Sequence, residues 1–262
     1  MSDGPTGQEA VILERSGQVA TLLLNDPPHN PIGQAQVESL SELAAKLAGD
    51  RSVRAVVLKG AGTRSFSAGA NLKEVSSAEG MRENFQQRVD AFAAVEAMGK
   101  PVIAAIRGNC LGGGLELAMS CHFRIASADA RLGLPEIKLG IGPAWGGCQR
   151  LARMVGRSRA LEILIRGRHL DAREAYEIGL VNEVCDPEAL DERAGRFAAE
   201  LAEQAPRAVA AILGSVIGGA DLPLEEALRH ELDAMAALAG TPDNVEGIKA
   251  FFEKRKPVFE GK

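Results

Sequence analysis

The chain has 262 residues, of which 46% are hydrophobic and 25% are charged, a composition typical of a folded globular protein. A net charge of −5 and a single Trp and a single Tyr argue against a protein that binds nucleic-acid phosphates or stacks on bases. No apolar stretch reaches the length needed to cross a membrane, and no signal-peptide pattern opens the chain, so we expect a cytoplasmic protein.

The cysteines give no sign of a metal centre. They form no CxxC pair, and no histidine lies at metal-ligand spacing from them; they are Cys110, Cys121, Cys148 and Cys185. We therefore expect reduced thiols, as in an intracellular protein, and no metal ion.

Strands and crossover helices alternate through the first half of the chain, and helices dominate the second half. The predicted strands are 11–13 and 19–24 in a hairpin, 53–58, 101–106 with a turn at 107–109, 123–126, 130–133 and 180–184. The predicted helices are 37–47, 79–98, 113–121, 147–155, 157–166, 171–178, 188–204, 206–217, 223–238 and 242–255. This order predicts an α/β core followed by a helical C-terminal region.

Two segments of small residues follow buried strands. Residues 67–73 read SAGANLK and residues 111–116 read LGGGLE. Small residues let a ligand approach backbone N–H groups closely. Two such donors directed at one oxygen form an oxyanion hole, so the pattern favours a protein that polarises a carbonyl group.

Glu116 and Glu136 are candidate acid and base groups. Glu116 falls in the first turn of the predicted helix that starts at the glycines, where a carboxylate also simply complements the helix dipole. Glu136 follows Pro135, which stiffens the turn, although a solvated loop carboxylate has the same sequence signature. Two carboxylates that share one water can divide the acid and base roles.

Other catalytic motifs are missing from the sequence. Neither a GxSxG elbow nor a Walker loop nor a GxGxxG dinucleotide fingerprint occurs. The four histidines, His29, His122, His169 and His230, fit surface or cap positions better than that of a base.

Several motifs together resemble the crotonase (enoyl-CoA hydratase/isomerase) superfamily. They are SFSAGANLKE at 65–74, KPVIAAI at 100–106 leading into GGGLELA at 112–118, LPEIKLGI at 134–141, GGCQRL at 146–151 and AFFEKRKP at 250–257. The similarity extends from about residue 9 to the C-terminus.

The resemblance implies a spiral of ββα units with a helical trimerisation region, and a homotrimer or a dimer of trimers. It implies a core over 9–190 that binds acyl-CoA, and a region over 191–262 that oligomerises and closes the CoA site. The backbone N–H groups of Ala70 and Gly113 would hold the thioester oxygen, with Glu116 and Glu136 as the catalytic pair. Further implied substrate- and CoA-binding residues are Ala68, Asn71, Leu72, Lys73, Leu111, Gly112, Pro135, Trp145 and Lys254.

The implied reaction is addition of water across the 2,3-double bond of a 2-enoyl-CoA, giving a 3-hydroxyacyl-CoA. Glu116 would activate the water and Glu136 would deliver a proton to C2. No cofactor is needed, because CoA enters as part of the substrate. The alternatives are an isomerase or decarboxylase on the same fold, or a non-catalytic RNA-binding relative; isomerases of this superfamily commonly keep only the carboxylate that corresponds to Glu136.

Three departures from the superfamily pattern concern the substrate. Asn71 replaces a common Asp, and the segment 27–30 (PPHN) lacks a basic residue that many members use for CoA phosphates. Ala144 and Trp145 replace a glycine and a small residue. Trp145 is interpreted either as core packing or as a side chain that reshapes the acyl pocket.

Overall fold

The structure, a computed structural model, describes residues 9–74 and 80–262. Its strands are β1 (Val11–Ser16), β2 (Val19–Leu24), β3 (Ala55–Gly60), β4 (Ser65–Ser67), β5 (Val102–Ile106), β6 (Asn109–Leu111), β7 (Phe123–Ser127), β8 (Arg131–Gly133), β9 (His169–Asp171) and β10 (Glu183–Cys185). Its α-helices are α1 (Gln34–Gly49), α2 (Met81–Glu96), α3 (Gly113–Ser120), α4 (Gly147–Val155), α5 (Arg157–Arg166), α6 (Ala172–Glu177), α7 (Leu190–Ala202), α8 (Pro206–Gly219), α9 (Leu224–Ala236) and α10 (Pro242–Glu253).

The larger sheet has six strands in the order β1-β2-β3-β5-β7-β10. β1 and β2 form an antiparallel hairpin, and the remaining pairs are parallel. Every residue of β5 is buried, because helices cover both faces of a parallel sheet. The chain leaves the carboxyl ends of β3 and β5 toward the two small-residue segments, 67–73 and 111–116 respectively.

A second sheet has four strands of three residues each, in the order β4-β6-β8-β9. Sequence periodicity predicted only β8 of these, and it predicted a turn over 107–109. Gly108 does turn the chain with a φ of +58°, but Asn109, predicted as part of the turn, is the first residue of β6 and pairs with Arg131 of β8. This sheet holds the two small-residue segments side by side, because β4 precedes the first and β6 precedes the second.

Two apolar clusters lie on the two faces of the larger sheet. α7 covers one face with a stripe at four-residue spacing, formed by Leu190, Ala194, Ala198 and Ala202. α8, α9 and α10 follow with many exposed apolar side chains. The division of the chain at residue 190 stays a prediction; α7, which begins there, packs against β3 and β5.

Element boundaries differ from the predicted ones for local reasons. The strand predicted to begin at Val53 begins at Ala55, because Val53 donates to the Asp50 carbonyl in a turn. The strand predicted at 180–184 begins at Glu183, because Leu180 and Val181 both donate to the Ala175 carbonyl at the end of α6. Residue 79, the predicted start of a helix, lies outside the described residues. Among the described helices, none is long and apolar enough to cross a membrane.

Candidate active site

A cavity of about 480 Å³ lies between α2, the start of α3 and the segment that leads into α4. Both small-residue segments and both candidate glutamates face it. Its lining residues are Ile32, Ala68, Gly69, Ala70, Asn71, Leu72, Glu74, Met81, Asn84, Phe85, Arg88, Gly112, Gly113, Glu116, Pro135, Glu136, Leu139, Ile141, Gly142, Pro143, Ala144 and Trp145.

The first small-residue segment is fixed by Ile32. The Ile32 N–H donates to the Gly69 carbonyl at 2.8 Å, and the Asn71 N–H donates to the Ile32 carbonyl at 3.0 Å. Within the described part of the chain, the N–H of Ala70 between them donates no hydrogen bond. A Cβ atom on Gly69 would lie 2.9 Å from the Leu111 carbonyl oxygen and 3.5 Å from the Gly113 nitrogen, so the two segments are in contact there.

Gly113 is the first residue of α3 and follows Gly112, whose φ is +52°. The Gly112 N–H donates to the Gly133 carbonyl at 2.9 Å, whereas the N–H of Gly113 has no acceptor among the described residues. Free N–H groups at a helix start carry the positive end of the helix dipole. A side chain at Gly113 would overlap the indole of Trp145, and one at Gly114 would lie 2.5 Å from the Ser67 carbonyl oxygen. The two glycines thus allow the Trp145 indole and the Ser67 backbone to pack directly against the start of α3.

Glu116 lies in the first turn of α3 and is 2% exposed. Its Oε1 accepts hydrogen bonds from the backbone N–H groups of Trp145 at 2.7 Å and Gly147 at 2.8 Å. Burial and, to a smaller extent, the charge of Glu136 raise the pKa of Glu116 from 4.5 to about 7, although the two N–H donors and the charge of Arg150 act in the opposite direction. A carboxyl group with a pKa near neutrality can both accept and release a proton.

Glu136 lies in a short 3-10 helix, Pro135–Leu139, after β8. Its Oε2 is buried and has no hydrogen-bond partner among the described residues. Burial raises the pKa of Glu136, and no side-chain donor stabilises its charged form. An unpaired buried carboxyl oxygen favours the protonated group, which can donate to a ligand in the cavity.

Trp145 packs in the core and also lines the cavity, and its effect on the acyl pocket stays a prediction. It is 6% exposed, and its ring meets that of Phe92 edge to face with centroids 6.0 Å apart. It also forms the cavity wall beside Gly113. The indole is therefore part of the core and part of the pocket.

The other predicted binding residues fall into two groups. Ala68, Asn71, Leu72, Gly112 and Pro135 line the cavity with Ala70, Gly113 and Trp145. Three do not line it, namely Lys73 and Leu111, which flank lining residues, and Lys254, which is exposed at the end of α10. Their part in binding CoA stays a prediction.

Sequence reasoning missed the contribution of α2 to the cavity. Met81, Asn84, Phe85 and Arg88 line it, and they follow the spacing of one helix face. The spacing is visible in the sequence, but it does not reveal that this face of the helix lines a cavity. Arg88 is 3% exposed, and its guanidinium lies 5.5 Å from the centroid of the Trp145 ring.

Comparisons with known proteins agree with this geometry. Residues 14–262 match the family described as "Enoyl-CoA hydratase/isomerase". The chain is 41% identical over 250 residues to a probable enoyl-CoA hydratase from Bacillus subtilis, covering 93% of this chain and 95% of that protein. It is 39% identical over 250 residues to a short-chain-enoyl-CoA hydratase from Clostridium acetobutylicum, covering 94% and 95%.

A solved structure is similar over the same extent. The crystal structure of an enoyl-CoA hydratase from Bacillus anthracis superposes with a TM-score of 0.94 at 36% identity, covering 97% of this chain and 100% of that one. The chain therefore belongs to the enoyl-CoA hydratase/isomerase family. The predictions of this family, of its α/β fold and of an enzyme of the enoyl-CoA hydratase type are confirmed.

Proposed function

We propose that the protein hydrates 2-enoyl-CoA thioesters in the cavity between α2 and α3, with its two glutamates as the acid–base pair. The observation that carries this proposal is that Glu116 and Glu136 both line one cavity with the free N–H groups of Ala70 and Gly113. Those N–H groups would hold the thioester oxygen. Their hydrogen bonds strengthen as that oxygen gains negative charge, and losing one such donor typically costs about 3–4 kcal/mol of transition-state stabilisation.

The hydrogen bonds of the two glutamates support different roles. Glu116 accepts two backbone N–H groups on Oε1, which stabilises its ionised form and suits it to take the proton of the attacking water. Oε2 of Glu136 is buried without a hydrogen-bond partner among the described residues, which suits this group to hold a proton. The water oxygen bonds to C3, the π electrons of the double bond move toward the thioester oxygen, and Glu136 protonates C2 as that charge returns. The two carboxyl groups titrate as a coupled pair.

Isomerisation is the second candidate. The sequence resemblance implies that isomerases commonly keep only the carboxylate that corresponds to Glu136. The presence of Glu116, buried and hydrogen-bonded in the same cavity, favours hydration. A decarboxylase would need only the N–H groups and a dry pocket for a carboxylate.

The test is loss of the conjugated-thioester absorbance when the protein is incubated with crotonyl-CoA. We expect turnover by the wild type and a loss of about 100- to 10,000-fold in kcat in Glu116→Gln and in Glu136→Gln, the range typical of acid–base groups. Glu14→Gln is the matched control, since Glu14 is exposed on β1. Turnover that survives in both active-site variants would refute the two-glutamate mechanism. If the wild type hydrates no 2-enoyl-CoA, isomerisation or decarboxylation becomes the favoured activity.

The assembly, the location and the cofactor requirement belong to the same proposal. Exposed apolar side chains on α8 and α9, among them Val216, Leu224, Leu228 and Leu232, support a homotrimer or a dimer of trimers. Sedimentation equilibrium tests this assembly. Cell fractionation tests a cytoplasmic location, and dialysis against a chelator, which should leave turnover unchanged, tests the absence of a metal requirement.

A further inference from the structure

The cavity contains one buried cation that the hydration mechanism does not use. Arg88 is 3% exposed, although its residue type is almost never fully buried without a partner. It lies on the cavity face of α2, where Met81 and Phe85 form apolar wall and Asn84 and Arg88 supply the polar groups. A substrate whose acyl chain is entirely apolar would gain nothing from a guanidinium group in this wall.

The hydrogen bonds of Arg88 account for only part of its donors. Nη1 donates to Oε1 of Gln34 at 3.1 Å and to the backbone carbonyl of Asn84 at 3.0 Å. Nε and Nη2, which carry the other three N–H groups, donate to no acceptor in the ranges 9–74 and 80–262. An arginine fork keeps these N–H groups in one plane, in the geometry that fits the two oxygens of a carboxylate.

The charge of Arg88 is also only partly compensated. No ion pair within 4.0 Å joins it to a carboxylate of the described residues. Burial lowers the pKa of Arg88, and the charge of Glu74 raises it. The Glu74 oxygens already accept from the Gln34 N–H and from Nδ2 of Asn71, both at 2.7 Å. A buried charge without a partner is costly, so a bound anion would stabilise this site.

Trp145 connects Arg88 to the reaction centre. The guanidinium lies 5.5 Å from the centroid of the indole, and the same indole contacts Gly113, whose N–H is proposed to hold the thioester oxygen. The cation therefore lies across one ring from the carbonyl-binding end of the cavity. An acyl chain that extends from the thioester along this wall brings its far end toward Arg88.

We propose that Arg88 binds a carboxylate at the end of the acyl chain remote from the thioester, so that the preferred substrates are 2-enoyl-CoA thioesters with a terminal carboxylate. This inference rests on the proposed hydration. The side-chain amide of Asn84, one helical turn from Arg88, supplies a second donor to the same carboxylate. The unused N–H groups, the lack of a carboxylate within 4.0 Å among the described residues and the lining position all point to an anionic group on the ligand.

The experiment compares kcat/KM for matched 2-enoyl-CoAs of one chain length that end in a carboxylate, in a carboxamide or in a methyl group. We expect the wild type to prefer the carboxylate over the carboxamide by roughly 10- to 100-fold, the range of a charge-assisted hydrogen bond. In Arg88→Met this ratio should fall to about 1 or below. Arg88→Lys keeps the charge without the fork and should keep part of the preference.

Arg82→Met is the matched control, because Arg82 is an exposed arginine on the same helix, and its carboxylate preference should equal that of the wild type. A wild type that hydrates the carboxylate and carboxamide substrates equally well would overturn the inference while leaving the hydratase proposal intact. A preference that persists in Arg88→Met would overturn it as well. A wild type that hydrates none of the three substrates would instead overturn the proposed function. Since equal wild-type hydration of the two substrates overturns the inference without any variant, poor folding of Arg88→Met does not remove the test.

Discussion

Gly113→Ala is expected to harm both folding and catalysis, because it adds one methyl group at the tightest contact of the cavity. The new Cβ would lie 2.5 Å from Cε3 and 3.1 Å from Cη2 of Trp145, and closer still to Cζ3. Carbon atoms normally meet at about 3.5–4.0 Å, so either the indole or the start of α3 must shift by about 1 Å. Overpacking of this kind costs about 1–3 kcal/mol of unfolding free energy. The shift also displaces the N–H proposed to hold the thioester oxygen, which would lower kcat by about 100- to 1000-fold.

Two measurements separate the parts of this prediction. Urea unfolding gives the change in stability, and crotonyl-CoA turnover gives the change in kcat. Trp145→Ala should cost less stability in the Gly113→Ala background than in the wild type, because it removes the clash, giving a double-mutant coupling of about 1 kcal/mol or more. Gly195→Ala is the control, because a Cβ there meets no atom within 4 Å and α7 should gain about 0.5–1 kcal/mol. A Gly113→Ala variant as stable and as active as the wild type, or zero coupling to Trp145, would refute the argument.

Three further outcomes are expected. The pKa of Glu116 is about 7 in the folded protein, above its ordinary 4.5, so the folded state binds more protons than the unfolded state between these pH values. The unfolding free energy should therefore fall as pH rises from about 4.5 to 7, by at most about 3 kcal/mol. A pH titration of unfolding should show this slope, and the slope should be flatter in Glu116→Gln. Trp145→Ala should lower the unfolding free energy by about 3–5 kcal/mol and shift kcat/KM toward bulkier acyl groups; an unchanged acyl preference would restrict the indole to a packing role. Asp243→Ala should increase amide exchange at Glu260 and Gly261, whose N–H groups donate to its carboxylate at 2.8 and 2.9 Å; exchange equal to the wild type would contradict the anchoring role of Asp243.

The larger sheet could be predicted from the sequence because each of its inner strands is a continuous apolar run. β3 and β5 are buried on both faces, and such runs leave little choice of structure. β4, β6 and β9 have three residues each, too few for a period to show clearly, and β8, of the same length, was predicted only as part of the longer segment 130–133. Their pairing depends on partners far away in the chain, as where Ser65 of β4 pairs with Asn109 of β6.

The candidate site shows the same division. Glu116 and Glu136 could be selected from the sequence because they fall within family motifs, and both line the cavity. The hydrogen bonds of the Glu116 carboxylate were not predictable, since its donors are backbone N–H groups 29 and 31 residues further along the chain. Arg88 was missed because the face of α2 was assigned by hydrophobicity. Val89 is only partly buried, whereas the neighbouring Arg88 is buried beneath Trp145.

The segment from Trp145 to Gly147 links the chemistry of the cavity to its selectivity. Its backbone N–H groups donate to Glu116, and its indole separates Gly113 from Arg88. A Cβ on Gly147 would lie 2.9 Å from Oε1 of Glu116, so this glycine is what allows the second N–H to reach the carboxylate. We therefore expect an acyl chain that displaces the indole to move a hydrogen-bond donor of Glu116, the proposed base, as well. Changes in acyl preference at this segment should consequently appear together with a shift in the pH dependence of kcat/KM, because one stretch of backbone controls both.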